Sequence, residues 1–516
     1  MRRAAALFPA CVIRAVSLAY PALVLAAPSL AVWACAPGWE GLRGLVLVLL
    51  SALSLALTAL LIADAKRFYL VLAPLAPLAL LYAGFVVLFS TVPGEGLWLS
   101  IANMNIKEFD SLLHLFSVQL IAALVATLLY LLCTTGRPAR LIFMRRGLMA
   151  AGALAIVALG TLSAPPLWQK SFPYGVAYDF AATVWEDQAA ASRPIDRPRI
   201  QRAAIPGREI YVLVIGEAIR RDTWLAELSG AQALTGERAV TFSDALAQAV
   251  LTKLSVPMLI TGTTGSKARR LPHFLHFAKA AGCTPVWLTM NDVGTPYADI
   301  AAEVFDNWRV PRAQKKRYDT DLLPLLEQVL SRHEKACVVL HTEGAHNDYV
   351  DRYPESFRPH PVKRGGLGEF TAGEDRPAQR AAYANAVAYT QYFLVQLVAL
   401  LEQRDARAFL VFAPDHAENL WDDERGRILH GFATRIEFEI PIFVWASRSF
   451  VEREPQKWAQ LRRNREQPVS NENVLPTLLD AMGIAPLPGN SLLRENVPVD
   501  RVVSIDALEI PFRLVK

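Results

Sequence analysis

Three apolar runs beyond residue 208 of this sequence stop at residues that can hold a cation or move a proton. YVLVIG stops at Glu217, VVL stops at His341 with Glu343 and His346 behind it, and FLVFAP stops at Asp415, His416 and Glu418. ILHG places His430 shortly afterwards. Carboxylate oxygens and imidazole nitrogens are ligands for divalent metals. Zn2+ accepts the mixture in tetrahedral geometry and Mn2+ favours its oxygen-rich part, so ligand type alone leaves the metal open. A single acid at a strand end serves more often as a helix cap or loop residue, and Glu217 alone carries little weight. Several acids and imidazoles at successive strand ends are accounted for by a shared cation. His341 reads as a structural residue at the end of its strand.

Such residues need a frame that brings strand ends together. Around them, short β-rich apolar runs alternate with helical stretches. Strands are expected at IYVLVIG, PVWLTM, ACVVLHT, RAFLVFAPD and PIFVWAS, with helices at HFLHFAKAAG, YDTDLLPLLEQVLSRH and AAYANAVAYTQYFLVQLVALLEQ. Uninterrupted apolar strands are buried on both faces, the pattern of a mostly parallel sheet covered by helices. Ligands meet such sheets beyond the carboxyl ends of the strands. The expectation is an α/β domain over residues 209–516 with its site at one end of a central sheet. Cys283 and Cys337 each precede an apolar run. Buried free thiols are expected there, because a disulfide needs the two strands to be neighbours in register.

The first third of the chain is different. With 516 residues and 53% hydrophobic content, the chain exceeds one ordinary domain and is too apolar for a purely soluble one. The excess lies before residue 165. Five segments approach the ~20 apolar residues that cross a bilayer: about Ala15 to Cys35, Leu45 to Ile62, Phe68 to Phe89, Leu112 to Cys133 and Gly147 to Ser163. They are expected as five transmembrane helices within residues 1–164. Arg2 and Arg3, Lys66 and Arg67, and then Arg137, Arg140, Arg145 and Arg146 fall in alternate gaps. Basic residues near membrane ends stay in the cytoplasm, which places everything after Ser163 on the outer side. Residues 165–208 read as a bridge. Its Tyr174 to Ala191 stretch suits an amphipathic helix on the membrane surface, with Trp168, Tyr174, Tyr178 and Trp185 as interfacial aromatics. The net charge of +5 is largely explained by the basic loops, and no basic run suggests nucleic acid.

Taken in order, GEAIRRD, HTEGAHNDYVDRYPESF, PDHAENL, LHG and SNENVLPTLLDAMGI resemble the motifs of the alkaline phosphatase superfamily. Within it they resemble the membrane-anchored phosphoethanolamine transferases that modify bacterial lipopolysaccharide. The resemblance implies a sulfatase-like catalytic domain in the periplasm, tied to the bacterial inner membrane. It also implies a metal-ligand set of Glu217, Thr252, Asp415 and His416. The family's nucleophile is a threonine a few residues before Ser-Val-Pro, which in QAVLTKLSVPMLITG falls on Thr252. Ser255 and Thr261 are the competing hydroxyls, each able to cap a helix that begins near Pro257.

On the same resemblance, His346 and His430 would hold phosphate oxygens or protonate the leaving group. Glu418 would either meet the donor's ammonium or cap a following helix. In WLSIANMNIKEFDSLL, Glu108 would match a glutamate that lies near the lipid donor in the family. The implied reaction moves phosphoethanolamine from phosphatidylethanolamine to lipid A or the lipopolysaccharide core, through a phosphothreonine-type intermediate in a monomeric enzyme. Phosphoglycerol transfer and periplasmic phosphodiester hydrolysis are the alternatives on the same fold. No Cys/Ser-x-Pro-x-Arg pattern stands near Thr252, which argues against sulfate esters. Gln248 and Met258 occupy the places of two cysteines that bracket the nucleophile loop in lipid A enzymes, and the Gly-Tyr that follows the first motif is missing. These departures bear on the acceptor.

Overall fold

The computed structural model describes residues 2–36, 38–62, 65–102, 117–135, 165–191, 195–291, 297, 300–306, 317–362, 376–495, 501–505 and 508–515. The chain forms two compact units, Met1–Asp187 and Gln188–Lys516, so the segment read as a bridge is divided between them.

In the first unit, helices span Arg2–Cys35, Leu42–Ile62, Ala65–Val71, Leu75–Phe89, Glu95–Ala102, Ser117–Thr135, Pro165–Gln169 and Tyr174–Ala191. The window Leu42–Ala59 is long and apolar enough to cross a membrane, with mean hydropathy 2.1, while Ala19–Cys35, Leu75–Phe89 and Val118–Thr134 are shorter apolar stretches. The third expected span is not continuous. Its helix stops at Val71 and resumes at Leu75, because Pro74 offers no backbone N–H and restricts the residue before it. The fifth expected span, Arg137, Arg140, Arg145, Arg146 and Glu108 lie outside the described residues. The helix Tyr174–Ala191 has the expected bounds. Its Asp179 accepts hydrogen bonds from Trp98 Nε1 and Lys170 Nζ, each at 2.7 Å, which ties it to the helix Glu95–Ala102. Trp185 and Tyr178 remain 74% and 53% exposed, apolar bodies suited to an interface between lipid and water.

The second unit is built on an eight-stranded sheet. In chain order its strands are β1 (Glu209–Gly216), β2 (Ala239–Leu246), β3 (Thr284–Thr289), β4 (Glu303–Asp306), β5 (Lys335–His341), β6 (Arg407–Pro414), β7 (Glu439–Ala446) and β8 (Val469–Ser470). They lie in the order β8-β2-β7-β6-β1-β5-β3-β4. β1 pairs in parallel with both β5 and β6, and β3 pairs in parallel with β5 and β4. The expected strand PIFVWAS, here β7, runs antiparallel to β6 and β2. Its apolar run hides this, since a strand buried on both faces looks the same in either direction. β2 escapes the sequence pattern because Thr241, Ser243 and Asp244, none of them fully buried, interrupt its apolar run. β4 and β8 are too short to leave a pattern.

Alternate residues of β1 feed two layers. Tyr211, Leu213 and Ile215 pack with Phe274, Leu275, Val474 and Leu478, and Ile210, Val212 and Val214 pack with Leu326, Phe393 and Leu397. The helix Arg376–Glu402 also meets the length and hydropathy of a membrane span, but 61% of its window is buried against this sheet. Cys283 and Cys337 are free and buried. Cys337 registers with Pro285, two residues past Cys283, so the thiols stand out of register.

One aromatic stack supports the sheet directly below the site. Trp224 lies parallel to Phe412 with ring centroids 4.9 Å apart, and both side chains are fully buried. Gly216 leaves room for the ring, since a Cβ there would come within 2.7 Å of Phe412 Cε2. Replacing Phe412 by Ala is predicted to cost about 3–5 kcal/mol. Thermal melting of the detergent-purified chain checks this, and an unchanged midpoint would contradict the packing argument.

Candidate active site and metal centre

β1 and β6 are neighbours in register, with Gly216 opposite Pro414. The residues that follow, Glu217 on one strand and Asp415 and His416 on the other, are therefore brought side by side. The helix Thr252–Thr261 points its first residue at them. Thr252 Oγ1 donates toward both oxygens of Glu217, at 3.3 and 3.2 Å, and lies 3.2 Å from His416 Nε2. His416 Nε2 is 3.3 Å from Glu217 Oε1 and 3.3 Å from Asp415 Oδ2. Its other nitrogen, Nδ1, donates to Ala417 O at 3.0 Å. That bond fixes the tautomer and leaves the Nε2 lone pair facing the carboxylates. Asp415 Oδ1 accepts from the backbone N–H of Ala218 at 3.2 Å and of His416 at 2.7 Å.

The two competing hydroxyls take structural roles. The helix begins at Thr252, five residues before the expected start, and Pro257 lies inside it. Ser255 Oγ donates to Asp415 O, and Thr261 Oγ1 donates to Pro257 O at 2.7 Å. Neither caps the helix.

The histidines form a second shelf. His430 stacks obliquely on His416 with ring centroids 4.1 Å apart, and His346 stands 6.1 Å from His430. One ligand atom each from Glu217, His416 and His430 lies within 4.8 Å of the others. Glu418 is fully buried. Its Oε2 meets His430 Nδ1 at 2.8 Å and its Oε1 accepts from Tyr349 OH at 2.7 Å. No helix follows it; Asn419–Leu420 pairs with Ile428–Leu429 as a short ladder. Both Glu418 oxygens are thus engaged inside the protein. Burial alone would lower the His430 pKa, but Glu418, together with Asp415 and Glu437, outweighs it and the imidazole is held above its ordinary value. His341 ends β5, fully buried against Trp287, and burial pushes its pKa down to about 3. Its burial and position fit the reading of a structural residue at a strand end.

A family model described as Sulfatase matches residues 209–484. The chain belongs to the sulfatase family. Among its curated relatives, the Kdo(2)-lipid A phosphoethanolamine 7''-transferase of Escherichia coli (strain K12) is 29% identical over 184 residues, 34% of this chain and 31% of that protein. Across the curated relatives the match covers between 31% and 53% of their own length. The integral membrane protein lipooligosaccharide phosphoethanolamine transferase A (EptA) from Neisseria meningitidis superposes with a TM-score of 0.69 at 19% identity, covering 92% of this chain and 96% of that one. The C-terminal periplasmic domain of EptC from Escherichia coli, in complex with Zn, superposes with a TM-score of 0.54 at 18% identity, covering 63% of this chain and 98% of that one. The alkaline phosphatase-like fold implied by the motifs is the observed one, with a helical region ahead of it.

The donor set of this sulfatase-family chain suits a divalent cation. Burial raises the Glu217 pKa well above its usual value, and the nearby Asp415 adds to the shift. Burial raises Asp415 to about 6 and drives His416 well below its ordinary value. Held out of water, the two carboxylates resist ionising beside each other and the imidazole resists protonation; a bound cation stabilises the carboxylate anions and accepts the neutral imidazole's lone pair. Asp415 Oδ2 is buried with no well-formed hydrogen bond, an oxygen left for a ligand rather than for the protein.

Sequence reasoning missed four residues here. Asn291 Nδ2 donates to Glu217 Oε2 at 2.8 Å; its place just past β3 obeys the same strand-end rule and was readable. Tyr349 orients Glu418, and its type carries no such signal. Asp319 accepts from the backbone N–H of Glu343 at 2.8 Å and of Gly344 at 3.1 Å, while burial raises its pKa to about 7. The fourth, Glu437, holds the loop after His430.

Gly344 is where the loops meet most closely. It has φ +50°, and a Cβ there would lie 2.6 Å from Glu217 O and 2.8 Å from Glu217 N. Gly344→Ala is predicted to displace Glu217, lower the metal content and destabilise the fold by about 1–3 kcal/mol. Elemental analysis together with thermal melting reads both effects; unchanged metal and midpoint would refute the close approach.

Proposed function

We propose that this protein transfers phosphoethanolamine from phosphatidylethanolamine to an envelope glycolipid, lipid A or the lipopolysaccharide core, through a covalent intermediate on Thr252. The observation that carries this reading is Thr252 Oγ1 lying within 3.3 Å of both Glu217 and His416 at the head of a helix. The phosphoethanolamine transfer named for the Escherichia coli relative supports the substrate class.

Glu217, Thr252, Asp415 and His416 would hold the cation, with zinc favoured by the mixed oxygen and nitrogen donors and by the zinc complex of the EptC domain. When bound, the metal lowers the hydroxyl's pKa and balances the buried carboxylates. Thr252 Oγ1 then bonds to the donor phosphorus as the bond to diacylglycerol breaks. Its proton leaves with the lipid alcohol, a transfer suited to His430 or His346. The acceptor hydroxyl oxygen next bonds to the same phosphorus as the phosphorus–Oγ1 bond breaks, and the acceptor's proton, carried by the same histidine, restores the Thr252 hydroxyl. His416, fixed by Ala417, keeps its nitrogen aimed at the site throughout, so no reorganisation accompanies the charge movement.

The membrane half of the proposal completes the path of the donor. Five spans would place the second unit in the periplasm beside the outer leaflet, and the exposed Trp185 and Tyr178 would rest at the lipid surface. Sharing one bilayer with the donor raises its effective concentration at Thr252.

Thr252→Ala is predicted to abolish transfer and the covalent adduct, whereas Thr252→Ser keeps a hydroxyl and retains part of the rate. Intact-mass measurement after incubation with phosphatidylethanolamine detects the adduct, and ethanolamine-labelled cells report the acceptor. An adduct that persists in Thr252→Ala would move the nucleophile elsewhere. Labelled phosphoglycerol moving while ethanolamine stays on its lipid would replace the donor.

A further inference from the structure

The loop after His430 holds a conformation that its own residues disfavour. Leu429 and Ala433 have φ +79° and +54°, and Gly431 has φ +98°. Left-handed backbone at a residue with a Cβ, such as Ala433, is unfavourable and persists only where the surroundings enforce it. The enforcing group is a side chain from outside the loop. Glu437 is fully buried, and its Oε2 accepts the N–H groups of Gly431 at 2.9 Å, Phe432 at 2.9 Å and Ala433 at 3.1 Å. Its Oε1 accepts from Thr434 Oγ1 at 2.8 Å.

Glu437 is itself anchored. The backbone N–H of Ala417, one residue past His416, donates to Glu437 O at 2.8 Å, and β7 begins two residues later. One residue therefore ties the His430 loop to the strand end that bears Asp415 and His416. Three convergent N–H groups form a concave anion site, and the carboxylate filling it belongs to the protein.

We propose that Glu437 is a positioning residue that sets the orientation of His430 toward Thr252 by binding the strained 431–433 backbone. This rests on the proposed transfer reaction, in which His430 serves the covalent step. Glu418 fixes the ring from one side through Nδ1, and Glu437 fixes the backbone from which the ring projects. Without the second restraint, the loop relaxes toward ordinary backbone angles and the imidazole turns away. Displacements of about 1 Å at a reacting group cost on the order of a hundredfold in rate.

The test uses the detergent-purified full chain. In Glu437→Ala, the rate of adduct formation from phosphatidylethanolamine is expected to fall about ten- to hundredfold, with bound metal unchanged. Glu437→Gln keeps one oxygen able to accept the three N–H groups and is expected to lose less than about fivefold. Gly431→Ala, which strains the loop while leaving Glu437 intact, is expected to give the same signature as Glu437→Ala, including retained metal. Hydrogen exchange of the Gly431–Ala433 amides, faster in Glu437→Ala than in wild type, reads the clamp without any turnover. Equal losses in the Ala and Gln variants would overturn the proposal, as would unchanged exchange or metal lost in step with rate. If wild type forms no adduct while the exchange difference holds, the transfer reading fails and the clamp stands.

Discussion

Everything in the second unit is arranged around one electrostatic constraint: two carboxylates and an imidazole are held together where water cannot reach them. Glu217, Asp415 and His416 are all fully buried, and their charged forms lack the solvation they would have at the surface. Removing such groups from water costs several kcal/mol each unless a counter-charge repays it. The sheet supplies the enforcement. β1 and β6 are central strands buried over their whole lengths, so their ends are fixed by two hydrophobic layers and cannot drift apart to relieve the repulsion. A divalent cation is the natural complement to such a site, and in the proposed reaction a threonine hydroxyl within its reach would serve as the nucleophile.

The same rigidity explains where the strain lies. Ala218, Asp348, Leu429 and Ala433 carry positive φ, and each belongs to a loop at the site end of the sheet. Each loop is over-determined by buried side chains. Tyr383 donates to Ala218 O at 2.6 Å and accepts from Arg220 N at 2.8 Å. Asp319 and Glu437 hold the loops that follow β5 and His430. Strained backbone is tolerated where many satisfied bonds converge on it. The candidate site residues thus sit on a thin strained rim, and the residues that keep it in place come from helices and strands beneath.

Sequence reading found the rim and missed most of what holds it. Glu217, His346, Asp415, His416 and His430 announce themselves as polar groups at or just past the ends of apolar runs, because several acids and imidazoles at successive strand ends, unlike one acid alone, point to a shared cation. Asn291 obeys the same rule without carrying a charge. Glu437 stands in EFE, where it reads as an ordinary surface acid, and only the chain reversal at 431–434 turns it inward. Glu418 seemed free to meet a ligand, yet it lies between Tyr349 and His430, from segments about seventy and twelve residues away.

What the amino-acid sequence determined by itself was the division into an apolar helical part and an α/β part, five of the sheet strands, and the identity of the residues at the strand ends. Those features depend on local runs and periodicity, which burial writes directly into residue type. Tertiary structure alone decided that β7 runs against its neighbours, that β2 enters the sheet between β7 and β8, and that the helix Thr252–Thr261 opens at Thr252 rather than near Pro257. It also decided which hydroxyl meets the carboxylates. Strand direction, helix start and side-chain partnership are set by contacts between segments far apart in the chain, and no window along the sequence contains both sides of such a contact.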